Sequence, residues 1–342
     1  MHTTEHQFPG RTVTCYHDAA FEQLEQLVPK AQTVIITDTN VRRAMAERLE
    51  GWTTIVIEAG EAHKQQSTVD DIIGQLIALE ADRKTWIVGI GGGVITDIAG
   101  FVAGIYMRGL NFGFIPTSIL GMVDASIGGK NGIDRGLYKN LVGLIKQPSF
   151  LLYDYSLLET LPHAEWVNGF AEIIKHAAIK DAELFGQLEQ SSLQQYRNDK
   201  TALAALIERN VAIKTGVVLR DELEQGERRQ LNFGHTFGHA VENLYSLPHG
   251  HAISIGMHIA AILSEQLKGF PAEMRQRLQQ LLLRYELPVS FDYDKEKVLE
   301  LVRMDKKRER DSIHFILLDR IGEATVQSVG IDELRRLLNQ YI

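Results

Sequence analysis

The chain has 342 residues, 44% of them hydrophobic and 23% charged, with 36 basic against 44 acidic side chains and a net charge of −8. That length exceeds the size at which one hydrophobic core usually stops growing, so two domains are expected; the ordinary composition excludes disordered and fibrous classes. The acidic balance argues against a nucleic-acid partner, and any anionic ligand must meet a local cluster of cations.

The first half alternates between two periods. Thr33–Thr37 is a short β-branched run ending in Asp38-Thr39-Asn40 and followed by a helical stretch to about Leu49. Thr53–Ile57 and Thr85–Ile90 repeat the run, with an amphipathic helix over Thr68–Glu80 between them, and Asn111–Ile115 before Pro116 reads as another strand. Short apolar strands alternating with helices predict a parallel sheet covered on both faces. From His163 to Tyr285 the apolar residues recur at three and four instead. Helices are expected over Ala164–Lys180, Thr201–Leu219, Phe233–Tyr245, His251–Leu267 and Ala272–Arg284. Ile313–Leu318 and Ala324–Val329 flank Arg320-Ile321-Gly322 as a hairpin, and Leu334–Tyr341 closes the chain as a helix. The fold class expected is an α/β dinucleotide-binding domain over residues 1–155, with a parallel sheet, and a mainly α-helical metal- and substrate-binding domain over 156–342. One cysteine, Cys15, can form neither an internal disulfide nor a thiolate zinc cluster, and no run of about 18 apolar residues occurs. A cytoplasmic protein with no membrane partner is expected.

Three groups of residues carry chemistry. Gly89-Ile90-Gly91-Gly92-Gly93-Val94-Ile95-Thr96-Asp97 leaves a strand and enters a helix. Such a junction lets backbone N–H groups approach a phosphate, although a tight turn packed for its own sake would use the same glycines. A polar tract follows: Arg108-Gly109, Thr117-Ser118, Asp124, Gly128-Gly129-Lys130, Lys139-Asn140 and Lys146. Loops of this composition suit a phosphorylated, polyhydroxylated ligand or, more plainly, a solvated surface. The third group is Gly234-His235-Thr236-Phe237-Gly238-His239 with Pro248-His249-Gly250-His251, preceded by Glu172 in an apolar helix. Histidines four apart share a helix face and can hold one metal; an unpaired carboxylate in an apolar helix is costly. Spacing leaves the ligand set open among these histidines, His176 and Glu172.

The three groups, in this order, resemble the 3-dehydroquinate synthase family, zinc- and NAD-dependent cyclases of the shikimate pathway and so of aromatic amino acid biosynthesis. The matching strings are GEAHK at 60–64, GGGVITDIAGFVA at 91–103, YMRG at 106–109, PTS at 116–118, MVDASIGGKNGID at 122–134 and KN at 139–140. LETLP at 158–162, NGFAEIIKHA at 168–177, LNFGHTFGHA at 231–240 and HGHAISIGM at 249–257 continue the match, which weakly reaches Asp305-Lys306-Lys307. The resemblance implies an active site between an α/β dinucleotide domain and a helical metal domain, and a homodimer.

Carried over position by position, the resemblance implies that Glu172, His235 and His249 bind zinc, with cobalt an alternative, and that His176 drops out. It implies NAD contacts from Asp38, Asn40, Ala59, Gly60, Glu61, Ala62, His63, Lys64, Gly93, Val94, Ile95, Thr96, Asp97, Thr117, Ser118, Lys130, Lys139, Leu157, Leu158, Glu159 and Thr160. Substrate contacts are implied for Arg108, Asp124, Lys130, Lys139, Asn140, Lys175, Lys214, Arg228, Asn232 and His239. Two positions depart from the family pattern. His251 stands where a glutamate is usual, and Gly250 is expected to turn the chain sharply so that His251 faces elsewhere. Thr96 stands where glycine is common, its hydroxyl available to a phosphate.

The reaction implied converts 3-deoxy-D-arabino-heptulosonate 7-phosphate, a small phosphorylated sugar acid, into 3-dehydroquinate and phosphate. It proceeds by transient oxidation, phosphate elimination, reduction and aldol closure. The rivals are a sister sugar-phosphate cyclase, an NAD- and metal-dependent alcohol dehydrogenase, and a non-catalytic NAD- and metal-sensing protein. Lys214, Arg228 and Asn232 at the positions expected to meet a carboxylate favour the synthase over a sister cyclase.

Overall fold

The computed structural model describes residues 1–136, 138–304, 308–309 and 312–341. Asp305, Lys306 and Lys307 lie outside the described residues. Among the described residues the strands are β1 His2–Phe8, β2 Arg11–His17, β3 Thr33–Asp38, β4 Thr53–Ile57, β5 Trp86–Gly91, β6 Asn111–Pro116, β7 Lys130–Arg135, β8 Tyr138–Ile145, β9 Phe150–Leu152, β10 Arg308–Glu309, β11 Ser312–Arg320 and β12 Glu323–Gly330. The helices are α1 Leu24–Leu27, α2 Thr39–Ala44, α3 Gln66–Ala78, α4 Gly93–Ile105, α5 His163–Lys180, α6 Ala182–Gln190, α7 Leu193–Asn198, α8 Lys200–Arg220, α9 His235–Tyr245, α10 His249–Lys268, α11 Ala272–Arg284, α12 Lys295–Met304 and α13 Ile331–Tyr341.

Two compact units result: residues 1–165 with 200–219, and residues 166–199 with 220–342. Where a single cut is expected after residue 155, the chain passes between the units three times, after residues 165, 199 and 219, because nearly all of α8 belongs to the first unit.

In the first unit a seven-stranded sheet runs in the order β1-β2-β9-β6-β5-β3-β4. The β1/β2 hairpin is antiparallel and the remaining pairs are parallel. The central strands carry β-branched residues buried on both faces, as a sheet covered by helices requires. Chain order reverses between β3 and β5, which opens a crevice at the carboxyl ends of those strands. Helix α3 buries Val69, Ile72 and Leu76, one face at three- and four-residue spacing.

Two readings of this half need correction. The helical stretch expected to reach Leu49 closes at Ala44 and continues as turns. The polar tract is not a set of open loops: Lys130–Arg135 and Tyr138–Ile145 pair as an antiparallel hairpin, β7 on β8, with Gly132 opposite Gly143 so that the two backbones meet without side chains between them.

The second unit is helical around α9 and α10, which pack against the β11/β12 hairpin. Phe237, Val241, Ile255, Ile259 and Leu263 meet Ile313, Phe315, Leu317 and Val329 in its core. No helix among the described residues is long and apolar enough to cross a membrane.

Candidate functional site

In the first unit the residues singled out for a dinucleotide gather where the parallel strands end. Asp38 ends β3 with Asn40 just beyond it, Ala59–Lys64 follows β4, Gly93–Asp97 follows β5 and Thr117-Ser118 follows β6. Asp38 caps α2, its carboxylate accepting from the N–H groups of Asn40 and Val41 at 2.9 Å. Intrahelical bonding in α4 begins with Thr96 N–H on Gly92 O, so the amides of the preceding turn point beyond the helix end. No residue from Gly91 to Gly93 takes a positive φ; glycine is needed there for room, since a Cβ on Gly93 would meet Ala125 at 3.1 Å and one on Gly92 would meet Ser118 Oγ at 3.3 Å. The Thr96 hydroxyl expected to serve a phosphate is buried and donates to Gly93 O at 3.0 Å instead. Leu157–Thr160 lies in a 3₁₀ turn, where Leu158 is buried and Glu159 pairs with Lys200 at 2.6 Å.

A set of ion pairs borders these strand ends. Lys64 is buried, binds Asp97 at 2.5 Å and donates to Asn140 Oδ1 at 2.6 Å. Burial disfavours its charge, but the carboxylates of Asp97 and Glu61 outweigh that and raise its pKa. Lys139 lies between Glu61 at 2.9 Å and Asp134 at 3.5 Å. Lys214, from α8, reaches Asp124 at 2.6 Å. Lys130 and Arg108 are exposed, and Arg108 holds a left-handed φ of 65°. Lys146 donates to Leu110 O at 3.1 Å. Asp134 is a member of this network that the sequence reading did not place there; its carboxylate also fixes Asn140 N–H at 2.7 Å.

In the second unit α5, α9 and the first turn of α10 bring Glu172, His235 and His249 together, with donor atoms within 4.8 Å of one another. Glu172 Oε1 stands 3.6 Å from His235 Nε2 and 3.2 Å from His249 Nε2. Donors on one tetrahedral zinc, each about 2.0–2.2 Å from the ion, stand about 3.3–3.5 Å apart. The other Glu172 oxygen pairs with Lys175, one turn on and equally buried. His235 Nδ1 lies 3.1 Å from Phe233 O, an acceptor that leaves Nε2 facing the carboxylate. Burial lowers the pKa of His249, but Glu172 and Glu242 override it and push it up to about 10. That excess of negative charge is what a cation would neutralise, so a divalent metal fits the donor set.

His239 shares the face, its ring centroid 5.1 Å from that of His235 and 6.2 Å from that of His249. Glu242, which the sequence reading overlooked, lies beside His249; His239, Glu242 and His249 also bring donors within 4.8 Å. Gly250 does not turn the chain. It sits inside α10, where a Cβ would strike Asn168 O of α5; close approach of two helices, not a bend, is its use. Arg228 is buried and donates to Glu222 O at 2.5 Å, while Asn232 donates to Glu224. Elsewhere His2, His17 and Glu208 group their donors similarly, but the two imidazoles stack at 4.9 Å and 16°. Nitrogen lone pairs lie in the ring planes, so no single ion meets both rings there.

The fold matches over nearly the whole chain the 2-epi-5-epi-valiolone synthase from Streptomyces hygroscopicus subsp. jinggangensis 5008, solved with NAD+ and Zn2+ bound, with a TM-score of 0.88 and 28% identity, covering 99% of this chain and 98% of that one. Fold and cluster define an enzyme of the dehydroquinate synthase-like cyclase class. Residues 54–168 match the family described as 3-dehydroquinate synthase N-terminal, and residues 169–308 that described as 3-dehydroquinate synthase C-terminal. The 3-dehydroquinate synthase of Methylacidiphilum infernorum is 44% identical over 78% of this chain and 74% of its own length. That of Dehalococcoides mccartyi is 40% identical over 89% and 88%. The chain belongs to the 3-dehydroquinate synthase family.

Proposed function

We propose that this chain converts 3-deoxy-D-arabino-heptulosonate 7-phosphate into 3-dehydroquinate and phosphate, as an NAD- and divalent-metal-dependent carbon–oxygen lyase working in the cytoplasm as a homodimer. The single observation that carries the proposal is the Glu172–His235–His249 trio, set at the donor spacing of one tetrahedral ion. Glu172, His235 and His249 hold the metal, and the strand-end residues Asp38, Ala59–Lys64, Gly93–Asp97 and Thr117-Ser118 hold NAD. When bound, NAD supplies a reversible hydride acceptor and the metal a Lewis acid for substrate hydroxyls.

The chain's own groups supply orientation and charge. The first-turn amides of α4 meet a pyrophosphate. Lys130, Lys139 and Lys175 serve the substrate's phosphate oxygens, which need close cations. Arg228 and Asn232, held by Glu222 O and Glu224, present donors to its carboxylate. Lys214, fixed by Asp124, is a further substrate contact implied by the family pattern. His239, on the metal-facing side of α9, contacts a substrate hydroxyl or a water.

The test is a phosphate-release assay with the heptulosonate phosphate, Zn2+ or Co2+, and NAD at catalytic amounts. One phosphate per dehydroquinate with no net NADH is the expected result. Stoichiometric NADH would indicate a dehydrogenase, and turnover only of a sugar phosphate lacking the carboxylate would indicate a sister cyclase.

A further inference from the structure

Helix α9 carries a carboxylate that the metal trio does not use. Glu242 lies seven residues beyond His235, two helical turns along the same face, and its Oε2 stands 3.4 Å from His249 Nδ1. On the opposite side of that imidazole, Nε2 faces Glu172 Oε1 at 3.2 Å. The ring is therefore bracketed by two carboxylates, one on each nitrogen.

His235 offers the comparison within the same cluster. Its Nδ1 meets a backbone oxygen, Phe233 O, at 3.1 Å, and its ring is buried in the first turn of α9. His249 opens α10, and a quarter of its side chain is exposed. Packing therefore encloses the His249 ring less completely than that of His235.

We propose that Glu242 is the positioning residue for His249. It accepts a hydrogen bond from Nδ1–H, fixes that tautomer, and so aims Nε2 at the point shared with Glu172 and His235. Hydrogen bonds of this kind orient a ligand ring and raise its basicity. The proposal rests on the reading that Glu172, His235 and His249 hold the metal. Its competitor is a site in which Glu242 is itself a ligand, with His239 and the Nδ1 side of His249.

The experiment uses the full chain, stripped of metal by chelator and refilled with Co2+ as a spectroscopic probe. Affinity is read by chelator competition and geometry by the visible absorption of the bound ion, alongside thermal melts of the metal-free proteins. Glu242→Ala is expected to bind Co2+ about 10–100-fold more weakly with an altered spectrum. Glu242→Gln, which keeps an oxygen acceptor and the side-chain volume, should recover part of that loss. Glu172→Gln and His249→Ala should hold no stoichiometric ion. Wild-type affinity and spectrum in both Glu242 variants, with Glu172→Gln and His249→Ala empty, overturn the positioning role and leave the trio standing. An empty Glu242→Ala beside a filled Glu172→Gln makes Glu242 a ligand and overturns both. Wild-type affinity in Glu172→Gln and His249→Ala alike overturns the trio itself.

Discussion

The strand-end cradle of the first unit and the three-helix cluster of the second are built by opposite means. In the cradle, backbone does the positioning: strand ends, the open first turn of α4 and the Asp38 cap fix the geometry, and side chains contribute a bordering set of ion pairs around Lys64 and Lys139. In the cluster the donors are side chains, and backbone matters by staying out of the way. Gly250 lets α10 lie on Asn168 of α5, and Gly256 lets α10 lie on Gly234, the residue before His235. Each of those crossings sits beside a proposed ligand. A site of the first kind should be sensitive to lost charge at its border; a site of the second should be sensitive to added volume several residues from the ligands.

The largest effect expected from that contrast is at Lys64. Replacing it by Met keeps the stem and leaves the part-buried Asp97 with only the weaker influence of Lys214, a loss of about 3 kcal/mol, the low end for breaking a buried pair. Denaturant unfolding should show it, and NAD affinity should fall while metal content per folded molecule stays near wild type. The double variant Lys64→Met with Asp97→Asn removes both charges and should recover much of the stability. A double variant no more stable than the single would show that the pair is not what Lys64 contributes, and loss of metal would break the division between the two sites.

Next comes Gly256→Ala. Its methyl group would meet Gly234 O, Gly234 C and Gly238 N, all backbone, so no flexible side chain can yield. Overpacking of this kind costs about 1–3 kcal/mol, and it pushes the start of α9 away from α10. His235 then leaves its spacing to Glu172, so bound metal should drop while NAD affinity is retained, the reverse of the Lys64 pattern. Metal analysis and NAD titration on one preparation decide it; full metal occupancy in Gly256→Ala would mean that the crossing does not set the ligand geometry.

The same contrast explains what is legible in the sequence. Buried parallel strands announce themselves because both faces are apolar and β-branched, so β3, β4, β5 and β6 were all expected within a residue or two. The β1/β2 hairpin escaped because His2–Phe8 is almost wholly polar and pairs at a sheet edge. The β7/β8 hairpin escaped because glycines and lysines read as loop, although Gly132 and Gly143 are there to let two strands touch. Glu172 stood out as a carboxylate in an apolar helix, whereas Glu242 occupies a helix flank where a lone glutamate normally means solvent. Only its distance from His249 separates the two cases. Gly250 reads in the sequence as a bend, because a glycine's use as a crossing point depends on a partner helix some 80 residues earlier in the chain.

The smallest effect tests whether the second unit's outer charges matter to its cluster. Glu227 accepts from Arg220 at 2.6 Å and from Lys180, at the end of α5, at 2.5 Å. Arg220 lowers its carboxyl pKa most; burial opposes, and Lys180 adds to the lowering, leaving it at about 2 against an ordinary 4.5. A carboxyl whose folded pKa is depressed contributes stability above its unfolded value and loses it as pH falls toward the folded one. The window is therefore from about pH 4.5 down to about 2. Because Arg220 is largely solvated, the pair is worth no more than about 1 kcal/mol. Glu227→Gln should match the wild type near pH 2 and fall short of it above pH 4.5, so its stability profile is flatter across that range. Added salt should narrow the difference, and metal content at neutral pH should stay unchanged. Parallel profiles for the two proteins would show that the Arg220–Glu227–Lys180 group contributes nothing to folding, and a loss of metal in Glu227→Gln would show that the charges at the end of α5 reach Glu172 after all.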